Sequence, residues 1–274
     1  MFNYYLQEKS FNNKTVKEVE DCITSLNDIV CHADDYDHFY KHEAFLLFET
    51  SNGDVICEIL FSKLSDEQQK RRIIPVLLKR FKDLHVSSPF IVPEDMDADY
   101  PNMGNAFVGP FLVNEITSCR FIVNLASYTQ FRRNYFLSQI SGRTLKEFQK
   151  IALQNVVVTD DAIAMAVSRG NEISKLFEDM MLINEYISEG HWMGAFNHQD
   201  LCQRKPVIIS DESDTVKQNP KLKRTRYFNI PDVGGQYCFL HIKAGDLRIH
   251  IFPHEEKKLV YVAYIGSHLP TKQG

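Results

Sequence analysis

The chain has 274 residues, 44% of them apolar and 24% charged, with twelve glycines, ten prolines and a net charge of −5, which is enough apolar material for one large core or two modest ones. This composition excludes collagen-like, disordered and small disulfide-scaffold classes. No apolar run approaches the roughly 20 residues of a bilayer span, the start MFNYYLQEKSFNNK lacks the layout of a signal peptide, and the six cysteines contain no CxxC pair; a cytoplasmic protein with no membrane partner, no metal and no cofactor is expected.

Residues 14–31 place Val16, Val19, Cys22, Ile23, Leu26, Ile29 and Val30 at helical spacing and predict a first helix. The segment Cys31 to His42 then gathers Cys31, His32, Asp34, Asp35, Asp37, His38 and His42. Its two last histidines are four apart, as two ligands on one helix face would be, but Phe39 stands where the glutamate of an HExxH motif belongs, so a polar helix-end loop is the expected reading. Two apolar runs flank Asn52-Gly53 and predict a hairpin over 44–61. Asp54 and Glu58 in it resemble the acidic pair of metal-dependent nucleases, with Leu60 in place of the lysine such a site needs.

Ser65 to Gln68 has the form of a capping box and leads into an apolar helix face of Ile73, Ile74, Leu77, Leu78 and Phe81, which Pro75 should kink or split. Residues 86–110, with four prolines and the acidic run EDMDAD, read as a long loop before a strand at Cys119 to Leu125. A second capping box at Thr144 to Glu147 and a start signal at Thr159-Asp160-Asp161 open two helices. A stripe from Ile173 to Tyr186 makes another that ends at Gly190, with Trp192 beyond it as a core or interface anchor. Residues 197–226 lose periodicity and read as a polar linker. Three strand-like runs follow at Tyr237 to Lys243, Leu247 to Phe252 and Lys258 to Ile265. The expected fold is α+β: a mixed helical and hairpin body over 1–196, the linker, and an antiparallel β-meander over 227–274.

Charge divides the chain unevenly. From Lys217 onward ten Lys and Arg face four acids, a net of +6, and the first 216 residues carry −11. Alternation puts Cys238, Leu240 and Ile242 with Leu247, Ile249 and Ile251 on a core face, and Tyr237, Phe239, His241 and Lys243 with Arg248, His250 and Phe252 on the other. That second face offers rings for stacking on bases, cations for phosphates and imidazoles for proton transfer. Candidate nucleic-acid-binding residues are therefore Tyr237, Phe239 and Phe252, with Lys223, Arg224 and Arg226 from the basic run before them. Candidate catalytic residues, for a metal-independent ribonuclease, are His241, Lys243, Arg248 and His250: either imidazole takes the 2′-hydroxyl proton and the two cations stabilise the charged phosphate. His254 and His268, at strand ends, are candidates for the protonated partner.

The run HIKAGDLRIHIFPHEEKKLVYVAYIGSHLPT resembles the terminal β-meander of compact bacterial toxins of the RelE/ParE superfamily, in which basic strands and a final strand pair line an RNA or partner groove. The resemblance lies within residues 217–274 and implies a role for Lys243 and Arg248, which fall on cationic strand positions. No GxGxxG, GxxxxGK[ST] or GxSxG motif points to nucleotide or hydrolase chemistry. The expectation is an effector of bacterial conflict that acts on or binds RNA. The alternative is a non-enzymatic subunit that docks a partner protein, DNA or a second copy of itself.

Overall fold

A computed structural model describes residues 1–86, 91–92, 96–98, 103–114, 116–168 and 173–271. The chain forms two compact units, Met1–Tyr135 and Phe136–Gly274. As a whole it is α+β, with an antiparallel strand set at its C-terminal end.

In the first unit, strands β1 (Phe2–Leu6), β2 (Asp37–His42), β3 (Lys82–Leu84), β4 (Gly104–Val108) and β5 (Phe121–Ile122) lie in the order β3-β2-β1-β4-β5. Every pairing is parallel. β1 is central and all five of its residues are buried, as a parallel strand covered on both faces requires. Tyr4 stacks on Phe39 at 5.0 Å between ring centroids, and Tyr5 on Tyr40 at 5.5 Å. Helix α1 (Val16–His32) follows the predicted stripe, burying Val19, Ile23, Leu26 and Ile29, and opens on a capping box between Thr15 and Glu18.

The expected hairpin over 44–61 does not form. Its turn is present, with Gly53 at φ +81° and its N–H bonded to the Thr50 carbonyl at 2.8 Å, but only one bridge, Glu49 to Val55, links the flanks. Ile56, Ile59, Leu60 and Leu64 are buried at spacings of three and four, a helical period, and the chain coils there accordingly. The next helical stretch begins differently from the predicted box: Asp66 accepts the N–H groups of Gln68 and Gln69, while the Ser65 hydroxyl donates 2.7 Å to Glu20 of α1. It runs as a π-type turn over Gln69–Ile73 and as helix α2 over Ile74–Arg80, because Pro75 has no N–H to return to the preceding turn. The region read as one loop over 86–110 contains β4, and its residues 87–90, 93–95 and 99–102 lie outside the described ones. The strand expected at Cys119 to Leu125 shortens to β5, and helix α3 (Leu125–Gln139) starts where it should have ended.

The second unit continues with α4 (Leu145–Ala152), β6 (Val156–Val158), α5 (Asp160–Ala166) and α6 (Ile173–Ser188). Thr159 caps α5 as its sequence predicts, and Gly190 ends α6 at φ +75°. Thr144 precedes α4 without the expected box; its hydroxyl accepts the Ser141 N–H instead. Segment 197–226, read as a linker, holds α7 (His198–Arg204), β7 (Ile209–Asp211), α8 (Asp214–Gln218) and α9 (Pro220–Arg224). Leu201, Val207, Ile209, Val216 and Leu222 anchor these pieces, single apolar residues too sparse to show a period. The division between units falls instead between Tyr135 and Phe136, inside α3.

β8 (Tyr227–Ile230) and β9 (Gly234–Tyr237) pair as a hairpin. β10 (Leu240–Ala244), β11 (Leu247–His254) and β12 (Leu259–Ser267) form the antiparallel meander, extended by β7 beside β10 and by β6 parallel to β12. Leu240, Ile242, Leu247, Ile249 and Ile251 are buried as predicted. Cys238 is not with them: pairing breaks at Cys238 and Phe239, and Cys238 packs with Ile230, Tyr261 and Ala263, beside Phe252.

Candidate nucleic-acid interface

The four candidate catalytic residues fall on adjacent strands and on one face, as the alternation predicts, and the structure adds their register. His241 is directly opposite His250, their rings 5.6 Å apart, and Lys243 is opposite Arg248. Their face is covered, however. Phe228 of β8 lies 5.8 Å from the His250 ring and stacks on Tyr264 at 5.5 Å, leaving His250 2% exposed and His241 buried. His250 Nδ1 donates 3.1 Å to the Cys238 carbonyl, and burial pushes its pKa down to about 4. Burial lowers the His241 pKa as well, against the pull of Glu212. Both imidazoles are thus neutral near pH 7 and shielded from solvent. Arg248 donates to the carbonyls of Gly245 at 2.8 Å and Leu247 at 2.7 Å, so it braces the β10–β11 turn, whereas Lys243 is exposed.

The candidate binding residues divide into two groups. Arg226 is 1% exposed and is a structural group: Nε donates 3.0 Å to Glu212, and Nη1 donates to the Leu222 carbonyl, the Thr225 hydroxyl and the Pro270 carbonyl at 3.3, 2.6 and 2.6 Å. The expectation that it meets a nucleic acid is corrected by that burial. Phe252 packs under the hairpin against the Cys238, Tyr261 and Ala263 cluster. Among the other histidines, His254 accepts the Lys257 N–H and His268 lies exposed beside the Leu269 carbonyl.

Tyr237, Phe239, Lys223 and Arg224 come together on the outside. In the hairpin, Phe228 and Ile230 point toward the sheet, so their alternating neighbours Tyr227 and Asn229 face outward. Tyr227 is the direct partner of Tyr237, and the two rings stack at 5.5 Å and 29°. Phe239 continues the row 6.0 Å from Tyr237. Tyr227 is 50% exposed and Phe239 39%. Asn219 caps α9 through the N–H groups of Lys221 and Leu222, Pro220 supplies its first turn, and buried Leu222 turns Lys223 and Arg224 away from the core. Lys223 Nζ sits 4.8 Å over the Tyr237 ring. With Arg224, Tyr227 and Pro220 it lines a shallow cleft of about 390 Å³. Tyr227 was absent from the sequence-based set, although the alternation in Tyr227-Phe228-Asn229-Ile230 before Gly234-Gly235 carries the signal of a hairpin with one outward ring.

The acidic and histidine clusters of the first unit do not assemble a metal site. His38 and His42 lie on strand β2, where four residues span roughly 13 Å. His42 Nδ1 accepts the Ala44 N–H, Asp34 and Asp37 bind Arg132, and Asp54 pairs with Lys63. Among the described residues no group of three or more His, Cys, Asp or Glu could hold a metal ion. One further buried acid there carries no signal in the sequence: Glu8, just past β1, is 1% exposed, and burial pushes its pKa up to about 7 against the backbone N–H groups of Glu8, Ile91 and His42, which act to lower it. Comparison with known proteins finds no matching family model, no matching curated protein and no matching solved structure.

Proposed function

We propose that the second unit binds single-stranded RNA on the stacked row Tyr227, Tyr237 and Phe239, with Lys223 and Arg224 on the phosphates, and does not cleave it. The observation that carries this reading is the row itself: three neighbouring rings, two of them substantially solvent-exposed, with a lysine ammonium over the middle one. Rings of this kind serve any base, because every base has a π-face, and adjacent cations add affinity that falls with salt. The covered, neutral state of His241 and His250 favours binding over general acid–base cleavage. The resemblance of the terminal meander to toxins whose basic strands line an RNA or partner groove is the reason for naming RNA.

The test is fluorescence anisotropy of the full chain with a labelled mixed-sequence RNA of twelve nucleotides at 50 and 200 mM NaCl. Tyr227→Leu combined with Phe239→Leu keeps apolar area and removes two rings, and should weaken binding at least tenfold, since a stacked base contributes about 1–3 kcal/mol. Lys223→Gln with Arg224→Gln should lower the salt slope by about 1.4, two phosphates of a single strand. Wild-type protein that fails to bind the RNA at 50 mM NaCl, or ring variants that bind as well as wild type, would overturn the reading. Shortening of the RNA during incubation, abolished by His250→Asn, would restore the ribonuclease alternative.

A further inference from the structure

A second cationic surface lies in the first unit, where the sequence is acidic overall. Residues 63–82 contain seven Lys and Arg (Lys63, Lys70, Arg71, Arg72, Lys79, Arg80 and Lys82) against Asp66 and Glu67, a net of +5 inside a first unit of −6. Three of the seven are ion-paired locally: Lys70 and Arg71 share Glu67, and Lys63 pairs with Asp54. The neighbouring Asp83 is taken by Lys41, and the Asp66 carboxylate is occupied by backbone N–H groups. Arg72, Lys79, Arg80 and Lys82 are exposed and form no ion pair among the described residues.

Their placement gives them one side. The helical stretch runs over residues 67–80, so positions 72, 76, 79 and 80 share a face and are separated along the axis by roughly 12 Å at most. Exposed Val76 lies between the cations, and Lys82 extends the row onto the edge strand β3. Arg80 and Lys82 also border a cleft with Asp34, Asp35 and Asp37 on its other wall. Asp34 and Asp37 are engaged by Arg132, and none of the three forms an ion pair with Arg80 or Lys82 among the described residues. Helix stability accounts for only part of this. Lys79 and Arg80 in the last turn complement the helix dipole, but Arg72, in the first half, gains nothing from it.

We propose that Arg72, Lys79, Arg80 and Lys82 form a docking face for the phosphate backbone of a nucleic-acid duplex. Charge complementarity selects a polyanion: at 0.1 M salt the Debye length is about 10 Å, so a ligand on the helix face meets the four local cations first, and of the three acids across the cleft Asp34 and Asp37 are already paired with Arg132. The face of α2 carries no aromatic ring, which leaves phosphate contact as its chemistry and a regular duplex as its ligand, read without sequence preference. The inference does not depend on the ring row of the second unit.

The experiment measures binding of the full chain to two labelled 20-base-pair duplexes of unrelated sequence over 50–200 mM NaCl. Wild type should bind both equally, and R72Q/K79Q/R80Q/K82Q should reduce the salt slope by about 3 to 4, four phosphates at about 0.9 each. The pairs R72Q/K82Q and K79Q/R80Q should each remove about half, a graded readout that survives if the fourfold variant does not fold. Tyr227→Leu/Phe239→Leu should keep duplex binding intact, so failure of the duplex face and failure of the RNA reading are distinguishable. The proposal is overturned if wild type does not bind duplex at 50 mM NaCl, if both pairs leave the slope unchanged, or if poly-L-glutamate displaces the duplex at equal charge concentration, which would mark a protein partner.

Discussion

At the residue scale, Arg226 shows how a basic sequence position becomes an internal fastener. Its guanidinium gathers Glu212 from the loop after β7, the Leu222 carbonyl of α9, the Thr225 hydroxyl just past it, and the carbonyl of Pro270 in the C-terminal segment. Glu212 is itself buried, so the pair is stable only as a pair: truncating one member strands the charge of the other. Arg226→Leu is expected to cost about 3–5 kcal/mol in denaturant unfolding, and Arg226→Leu with Glu212→Leu to recover most of that loss. A single variant as stable as wild type would show that the pair fixes nothing. His250 is the same lesson with another group. Strand alternation put it correctly on the face it shares with His241, but its burial depends on Phe228, twenty-two residues earlier, and no local pattern reveals such a lid.

At the scale of elements, the β8–β9 hairpin is the piece that converts an open sheet face into a covered one and moves the exposed rings to its own outer side. Phe228 rests on His250 and Tyr264, while Tyr227 turns out to stack on Tyr237. Phe228→Ala removes the ring over His250. Desolvation is the main cause of the depressed His250 pKa, so in this variant it is expected to rise by a unit or more toward its ordinary value of 6.5, read from the imidazole proton shifts in an NMR titration. An unchanged titration would mean that the strand neighbours keep the ring desolvated by themselves, since the Cys238 carbonyl pulls its pKa the other way.

The elements that were legible in the sequence are those whose signals are local. α1 and α6 have stripes of period 3.6 with a cap at one end, α5 has Thr159, and the meander strands alternate. β1 was missed for a physical reason: a parallel strand buried on both faces shows a short run, Phe-Asn-Tyr-Tyr-Leu, with no alternation to separate it from the flank of a helix. Asn52-Gly53 marks a true turn but no hairpin, because the flank that follows it buries Ile56, Ile59 and Leu60 at helical spacing. The ring row was half legible, since Tyr237 and Phe239 follow from the strand but their companion Tyr227 needs the hairpin to be recognised first.

For the whole molecule, the two units carry buried groups whose titrations act in opposite directions. In the first unit Glu8 is raised to about 7 from 4.5, so the protonated form is favoured by the fold. Its contribution to stability is fully present below pH 4.5 and is lost as pH rises through 7. In the second unit His250 is depressed to about 4 from 6.5, so the neutral form is favoured. Its contribution is present above pH 6.5 and is lost as pH falls toward 4, and His241 has the same sign. Moving from pH 7.5 to pH 5 should therefore stabilise the first unit and destabilise the second, each by about 2 kcal/mol from the span of these shifts. Hydrogen exchange with mass spectrometry on the intact chain, corrected for intrinsic rates, resolves the two. Peptides from β1 and α1 should open less readily at pH 5, and peptides from β10 and β11 more readily. Glu8→Gln should flatten the first trend and His250→Asn the second, each without touching the other unit's profile. If both units shift in the same direction in the wild type, or if neither variant flattens its own trend, these two buried groups are not what sets the pH response.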